Sequence, residues 1–344
     1  MKLDYLRRGV AAHFVKKGGH GMGVIQQAVI LAAGRGSRLQ GLSKDVTKAM
    51  LPVLGKPIMV RVMDRCLEAG IKRFVVVIGE QEGGLASYLS HSWYPHTEVK
   101  YVLQISPTGS ADALALATKQ IEGDFLVLAA DTLPLPDHIP ALLKKFEETK
   151  ADMVVSVTPA SPAEIQLSAE ATIEGDWVTK LVEKPENPVG NQLAFMTYAA
   201  KKEFLGQLNK LAFSKRGEKE LVSAIQNWIE AGAKVAYQSA PQRYHFMKDA
   251  DLYKISKAYL DEGRDAHILS ELPGSVTIIP PVRIDPGVVV GQKAKIGPYV
   301  YLESGSSVGE GATVMESLVL RNSVIPKGEV CKRQMVSRTN RISI

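Results

Sequence analysis

Two cysteines, Cys66 and Cys331, are all that the 344-residue chain contains. Neither a disulfide framework nor a thiolate metal site fits that spacing, and a reducing compartment does. Aromatic residues are also sparse, at 6%, while aliphatics are plentiful, which is the balance of an α/β protein with buried Val, Ile and Leu strands. Long apolar runs are absent: nothing approaches the ~18 residues of a membrane span. GVAAHFV, flanked by charge, is a poor signal-peptide core. The expected location is the cytoplasm. An excess of positive charge is missing where it would matter most. The net charge of +6 resides in residues 1–21 and 327–344, each with five basic groups and one acid, leaving 32 basic and 34 acidic residues between them. A general nucleic-acid role is therefore not expected, and neither is a membrane partner.

What the chain does have begins at Ala28. Ala28 to Leu31 is an apolar run of strand length; Leu31 ends it, and Ala32, Ala33, Gly34, Gly36 and Ser37 then supply small residues where a strand hands over to a loop. Backbone N–H groups in such a loop can approach a triphosphate with no Cβ in the way. Arg38 and Lys48 can neutralise charge on a departing pyrophosphate. No Gly-Lys-Ser/Thr closes the loop as in a P-loop, and Leu39 breaks a GxGxxG reading.

LAAGRGSRL followed by KAMLPVLGKP resembles the signature of the sugar-1-phosphate nucleotidyltransferases, which join a nucleoside triphosphate to a sugar phosphate and release pyrophosphate. QISPTGSADAL (104–114) resembles that family's second nucleotide-side element. The resemblance implies that Gln104 reads a base edge and that Gly109 and Ser110 lie near base or phosphate. DFLVLAAD (124–131) is a strand ending in Asp131, which matches the family's metal-binding aspartate and implies Mg²⁺ as cofactor. Glu183-Lys184-Pro185 resembles the acceptor-side motif, with Glu183 on sugar hydroxyls and Lys184 on the acceptor phosphate. Two departures stand out. IQLSAEATI (165–173) has no glycine where members carry one, and His245 occupies the position of a second metal-binding aspartate. An imidazole suits softer metals than Mg²⁺.

The coarse reading gives a doubly wound, Rossmann-like mixed sheet. A helix over Lys56–Ala69 buries Ile58, Met59, Val62, Met63, Cys66 and Leu67 and ends at Gly70. Strands are expected at 73–78, 152–157, 177–182 and 234–238, and helices at 138–148, 201–211 and 218–231. From Val276 a six-residue period sets in, with Ile278, Ile284, Val290, Ile296, Leu302, Val308, Val314 and Leu320 all aliphatic. This resembles the hexapeptide repeat of a short left-handed parallel β-helix, nine hexads over 276–329. Acetyltransferases of that shape use a histidine base, but no histidine follows His267, so the repeat is read as a packing or assembly element.

The expected layout is an extension without regular structure (1–21), a nucleotidyltransferase domain (22–265), a β-helix (272–331) and a basic tail (332–344), in a homo-oligomer. The expected partners are a nucleoside triphosphate and a sugar 1-phosphate. Two alternatives stay open: a CTP-dependent enzyme for a phosphorylated alcohol such as inositol or choline phosphate, and a catalytically impaired regulatory subunit.

Overall fold

The computed structural model describes residues 25–34, 47–80, 82–93, 97–263 and 265–344. The expectation for residues 1–21 lies outside them. The chain opens with β1 (Gln27–Leu31), α1 (Ile58–Glu68), β2 (Arg73–Ile78), α2 (Gly83–Ser92), β3 (Glu98–Leu103), α3 (Ser110–Ala117), β4 (Phe125–Ala129) and the short β5 (Thr132–Leu133). It continues with α4 (His138–Thr149), β6 (Met153–Pro159), β7 (Ala169–Glu174), β8 (Trp177–Glu183), β9 (Gln192–Ala200), α5 (Leu221–Glu230), β10 (Val235–Ser239), β11 (Tyr244–His245) and α6 (Asp249–Asp261). Among the described residues the main sheet has nine strands in the order β3-β2-β1-β4-β9-β6-β10-β8-β7. Strands β3, β2, β1 and β4 run parallel, and β9 is antiparallel to β4 and β6.

Period-two alternation decides which face each side chain joins. Ala28, Ile30, Phe74, Val76, Leu126 and Leu128 enter the core beneath α1, α2, α4 and α6. Val29, Val75, Val77, Phe125 and Val127 enter the one beneath α3 and α5. The result is a helix–sheet–helix sandwich whose carboxyl strand ends of β1 and β4 open side by side, the usual place for a ligand in such sheets. Two expected helices are shorter than their periodicity implies. The 201–211 stretch makes a 3₁₀ turn at Lys202–Phe204 and one α turn at Leu205–Leu208. The helix expected from 218 starts at Leu221, because Lys219 is held extended by its N–H to Thr108 O (2.7 Å) and its carbonyl to Ala111 N (2.9 Å).

Beyond residue 276 the chain winds into a β-helix of three parallel faces, of four, five and three strands, the five-stranded one ending in an antiparallel strand. Up to Val314 the coil repeats every 18 residues, pairing Ile284 with Leu302 and Ile296 with Val314. Thereafter it repeats every 17: Leu302 pairs with Val319, Val308 with Ile325 and Val314 with Cys331. One corner residue is lost where Glu316 adopts left-handed backbone (φ 47°). Val319, not the expected Leu320, therefore fills the coil interior, and Leu320 turns outward against the first domain. The stretch expected as a basic tail is also paired. Gln334–Val336 extends the coil beside Ser317–Val319, and Arg341–Ser343 folds back antiparallel over it. Gly297 illustrates the corner requirement: at φ 108° a Cβ would lie 1.8 Å from Ile279 O.

One face of the coil shares the core of the first domain. Tyr301, Leu318 and Met335 are fully buried with residues of α1, α4 and α6. Gly55 N donates to Tyr301 Oη (3.0 Å), whose hydroxyl donates to Asp285 (2.8 Å). Arg61 pairs with Asp265 at 2.8 Å. Among the described residues no helix is long and apolar enough to cross a membrane.

Candidate functional site

A cleft of about 540 Å³ opens at the carboxyl ends of β1 and β4. Leu31, Ala32, Ala33, Gly34, Lys48, Gln104, Gly109, Ser110 and Asp131 all line it, so nine residues singled out in the sequence meet in one place. Gly36, Ser37 and Arg38 lie outside the described residues. A neighbouring lobe of about 430 Å³ shares Ala33, Gly34, Lys48 and Gln104 and adds Thr47 and Glu82.

Local hydrogen bonds explain the shape. Ala32 N donates to Val77 O (2.8 Å) and Ala130 N to Leu31 O (3.1 Å), so the chain leaves both strands at the same level. Gly109 sits at φ 121°, where a Cβ would meet Lys219 O at 2.3 Å, and only glycine fits. The Ser110 hydroxyl accepts from Leu221 N (3.0 Å), tying α3 to α5. Gln104 Nε2 donates to Asp112 (2.9 Å) and to Gly109 O (3.3 Å). Since the amide nitrogen is engaged, it is the carbonyl oxygen that is offered to a ligand donor.

Asp131 follows β4 and is the charge centre of the cleft. Its Oδ2 contacts Lys48 Nζ, and His245 Nε2 lies 3.7 Å away. Among the described residues its Oδ1 receives only the Thr132 hydroxyl, at 3.4 Å. Burial would push the carboxyl up, but His245 and Lys48 together overcome it and hold it well below the usual carboxylate range. His245 is placed by β11, which pairs antiparallel with β5 so that His245 faces Thr132, and Phe246 N donates to Asp131 O (2.9 Å). Arg243 Nη1 donates to His245 Nδ1 at 2.6 Å.

A divalent cation needs oxygen ligands here, and Mg²⁺ takes one or two carboxylates plus substrate phosphates. Asp131 Oδ1 meets that need, whereas among the described residues no three His, Cys, Asp or Glu side chains gather into a closed metal cage. The donor set fits a cation shared with a phosphate ligand.

Glu183 ends β8, Lys184 follows it, and they line neither lobe. Burial pushes the Glu183 carboxyl up to about 7, with Lys184 opposing and Glu220 adding to the shift. Lys184 has left-handed backbone (φ 44°), with its N–H held by Ser168 O at 2.6 Å. Where family members carry a glycine, Ala169 and Ala171 bury their methyls in the core beneath α3 and α5. Sequence reasoning missed Met196 and Glu218, which also line the cleft. It also missed Glu82, whose carboxylate accepts from Thr47 Oγ1 at 2.7 Å. These arrive from distant strands and loops, with no local signal. Arg243 had one: it stands two residues before His245, the spacing that puts side chains of extended backbone on one side.

Comparison with known proteins adds a second line of argument. The family model described as nucleotidyl transferase matches residues 27–248, and one described as the GMPPB C-terminal domain matches 278–343. The chain is 27% identical over 324 residues to the bifunctional protein GlmU of Methanocaldococcus jannaschii, covering 87% of this chain and 74% of that one. It is 29% identical over 207 residues to the UTP–glucose-1-phosphate uridylyltransferase AglF of Haloferax volcanii, covering 60% of this chain and 84% of that one. Among solved structures it is similar to a UDP-glucose pyrophosphorylase complexed with UDP-glucose (TM-score 0.64, 20% identity, 69% of this chain and 99% of that one). It is also similar to the inositol-1-phosphate CTP transferase from T. maritima (TM-score 0.60, 18% identity, 68% and 96%). At those identities the two structures share the fold.

Proposed function

The chain belongs to the nucleotidyl transferase family, and on that premise we propose that it condenses a nucleoside triphosphate with a sugar 1-phosphate, giving a nucleoside diphosphate sugar and pyrophosphate. The observation that carries this reading is the convergence of Gly34, Lys48, Gln104 and Asp131 on one cleft at the carboxyl ends of β1 and β4. The small-residue turn after β1 takes the phosphates, and Gln104 takes a base edge. An oxygen of the acceptor phosphate attacks the α-phosphorus in line, and the bond to the β-phosphate oxygen breaks. Lys48, with Arg38, neutralises the pyrophosphate as its charge develops, an interaction stronger in the transition state than in the ground state. Lys184 pairs with the acceptor phosphate and Glu183 with its hydroxyls.

The family generally uses a divalent metal, and we assign Mg²⁺, held by Asp131 and the phosphates. When bound it would supply positive charge against the phosphate oxygens. The atypical stretch at Ala169 keeps a second acceptor class in view, a phosphorylated alcohol joined to CTP. The outward Val289, Val324 and Val330 of the coil, 60–66% exposed, favour assembly into a homo-oligomer.

The test is a pyrophosphate-release screen of the four ribonucleoside triphosphates and dTTP against sugar and polyol phosphates with Mg²⁺. Turnover with a sugar 1-phosphate is expected. Turnover only with a polyol phosphate and CTP selects the second acceptor class. Nucleotide binding without pyrophosphate release from any pair selects a regulatory subunit.

A further inference from the structure

His245 stands beside Asp131, where a second carboxylate would make a stronger site for a hard cation. What it does there is decided by its other ring nitrogen. Arg243 Nη1 approaches Nδ1 at 2.6 Å, and a guanidinium only donates. Nδ1 must therefore accept, its lone pair is engaged, and the hydrogen of the neutral ring resides on Nε2. Nε2 is the nitrogen that faces Asp131 Oδ2, at 3.7 Å. A nitrogen carrying hydrogen has no lone pair for a metal.

We propose that Arg243 is a positioning residue that locks His245 in the Nε2–H tautomer, making the imidazole a donor toward Asp131 and not a metal ligand. Arg243 lies 5.8 Å from the Phe195 ring centroid and lines, with Glu164 and His245, a separate pocket of about 270 Å³. Asp131 lines the cleft and not that pocket. The row Arg243, His245, Asp131 thus runs through the wall between the two cavities. Lys48 contacts Oδ2 and His245 Nε2 faces it from 3.7 Å, whereas among the described residues Oδ1 meets only the Thr132 hydroxyl and is the oxygen more available to a cation. With one carboxylate oxygen and no imidazole lone pair, the site binds a divalent ion weakly unless phosphates complete its shell, so the ion enters as its nucleotide complex. This inference rests on the nucleotidyl transfer reading for its consequence, but not for its test.

Long-range ¹H–¹⁵N NMR of the labelled protein, at a pH where the ring is neutral, reads the tautomer directly. The wild type should show hydrogen on Nε2 of His245, and Arg243→Met should show a mixture or the opposite tautomer; Arg243→Lys, which keeps a donor, should restore Nε2–H. Hydrogen on Nδ1 in the wild type overturns the proposal. Mn²⁺ titration followed by EPR, without nucleotide, reads the metal side. The wild type should bind Mn²⁺ weakly and show no coordinated nitrogen, while His245→Asp should bind it roughly 10–100-fold more tightly. Nitrogen coupling to Mn²⁺ in the wild type, or equal affinity in His245→Asp, overturns it. If Arg243→Met fails to fold, His245→Gln carries the comparison: it supplies an amide N–H and should keep Mn²⁺ binding weak, and a nitrogen or affinity gain there counts against the proposal. Absence of pyrophosphate release in the wild type would defeat the proposed reaction and leave these two measurements to decide the inference.

Discussion

The ammonium of Lys48 pairs with Asp131 and lies 5.7 Å from the Phe246 ring centroid, so it is held in the cleft by one charge and one aromatic face. In the proposed reaction a cation in that place acts most on the charge that develops as pyrophosphate leaves. Lys48→Ala is expected to lower turnover by roughly 10²–10³-fold with a smaller change in nucleotide affinity, checked by steady-state pyrophosphate release beside calorimetric titration. Glu183 makes a different prediction. Its carboxyl is pushed up to about 7 from an ordinary 4.5, so the folded protein holds a proton that the unfolded chain releases. The stability this gives is complete below pH 4.5 and is lost as pH rises through about 7. Glu183→Gln removes that slope, so the variant should match wild type at pH 4 and exceed it at pH 8 by on the order of 3 kcal/mol, read from urea unfolding at both values.

The β-helix depends on its stacked interior and its corners. Leu302, fully buried between Ile284 and Val319, should cost roughly 2–5 kcal/mol on conversion to Ala. Gly297→Ala should be at least as damaging, because the new Cβ would occupy the space of Ile279 O; chemical denaturation of both variants checks this. Most of these elements were readable from the chain. The β1 run, the α1 face from Ile58 to Cys66 and the hexads through Val314 each bury a simple periodic pattern, and such patterns are what burial imposes on sequence. The register after Val314 was not readable, since Leu318, Val319 and Leu320 are all aliphatic and satisfy either phase. Which one points inward depends on the corner at Glu316. In the cleft, Gln104, Gly109 and Asp131 were legible because each sits where a strand or turn hands over to a helix or loop. The facing of Met196 and Glu218 was not, because it arises from pairing between segments far apart in sequence, such as β9 against β4.

The two domains are joined by a continuous interior as well as by linking chain. Tyr301 is at its centre: fully buried, it accepts from Gly55 N and donates to Asp285. Tyr301→Phe leaves the buried Asp285 without that donor, and should cost about 1–3 kcal/mol, seen as a lowered melting temperature. Cutting the chain after Leu272 goes further, because it uncovers the apolar surface that Tyr301, Leu318, Leu320 and Met335 cover. The truncated protein should aggregate or run at a lower oligomeric mass in light scattering, and an unchanged mass in a soluble product would rule out a role for the coil in assembly.

The bond between Gly55 and Tyr301 spans 246 residues of chain, and that interval is also a time. At the usual 5–20 residues per second, Gly55 leaves the ribosome roughly 12–50 s before the tyrosine that holds it. Through that interval Leu51, Val53 and Leu54, buried in the finished protein, lack the surface supplied by the last fifth of the chain. The turn that follows Lys48 is among the first parts made and among the last completed. A nascent chain stalled before Tyr301 would display an almost entire first domain with an open apolar seam.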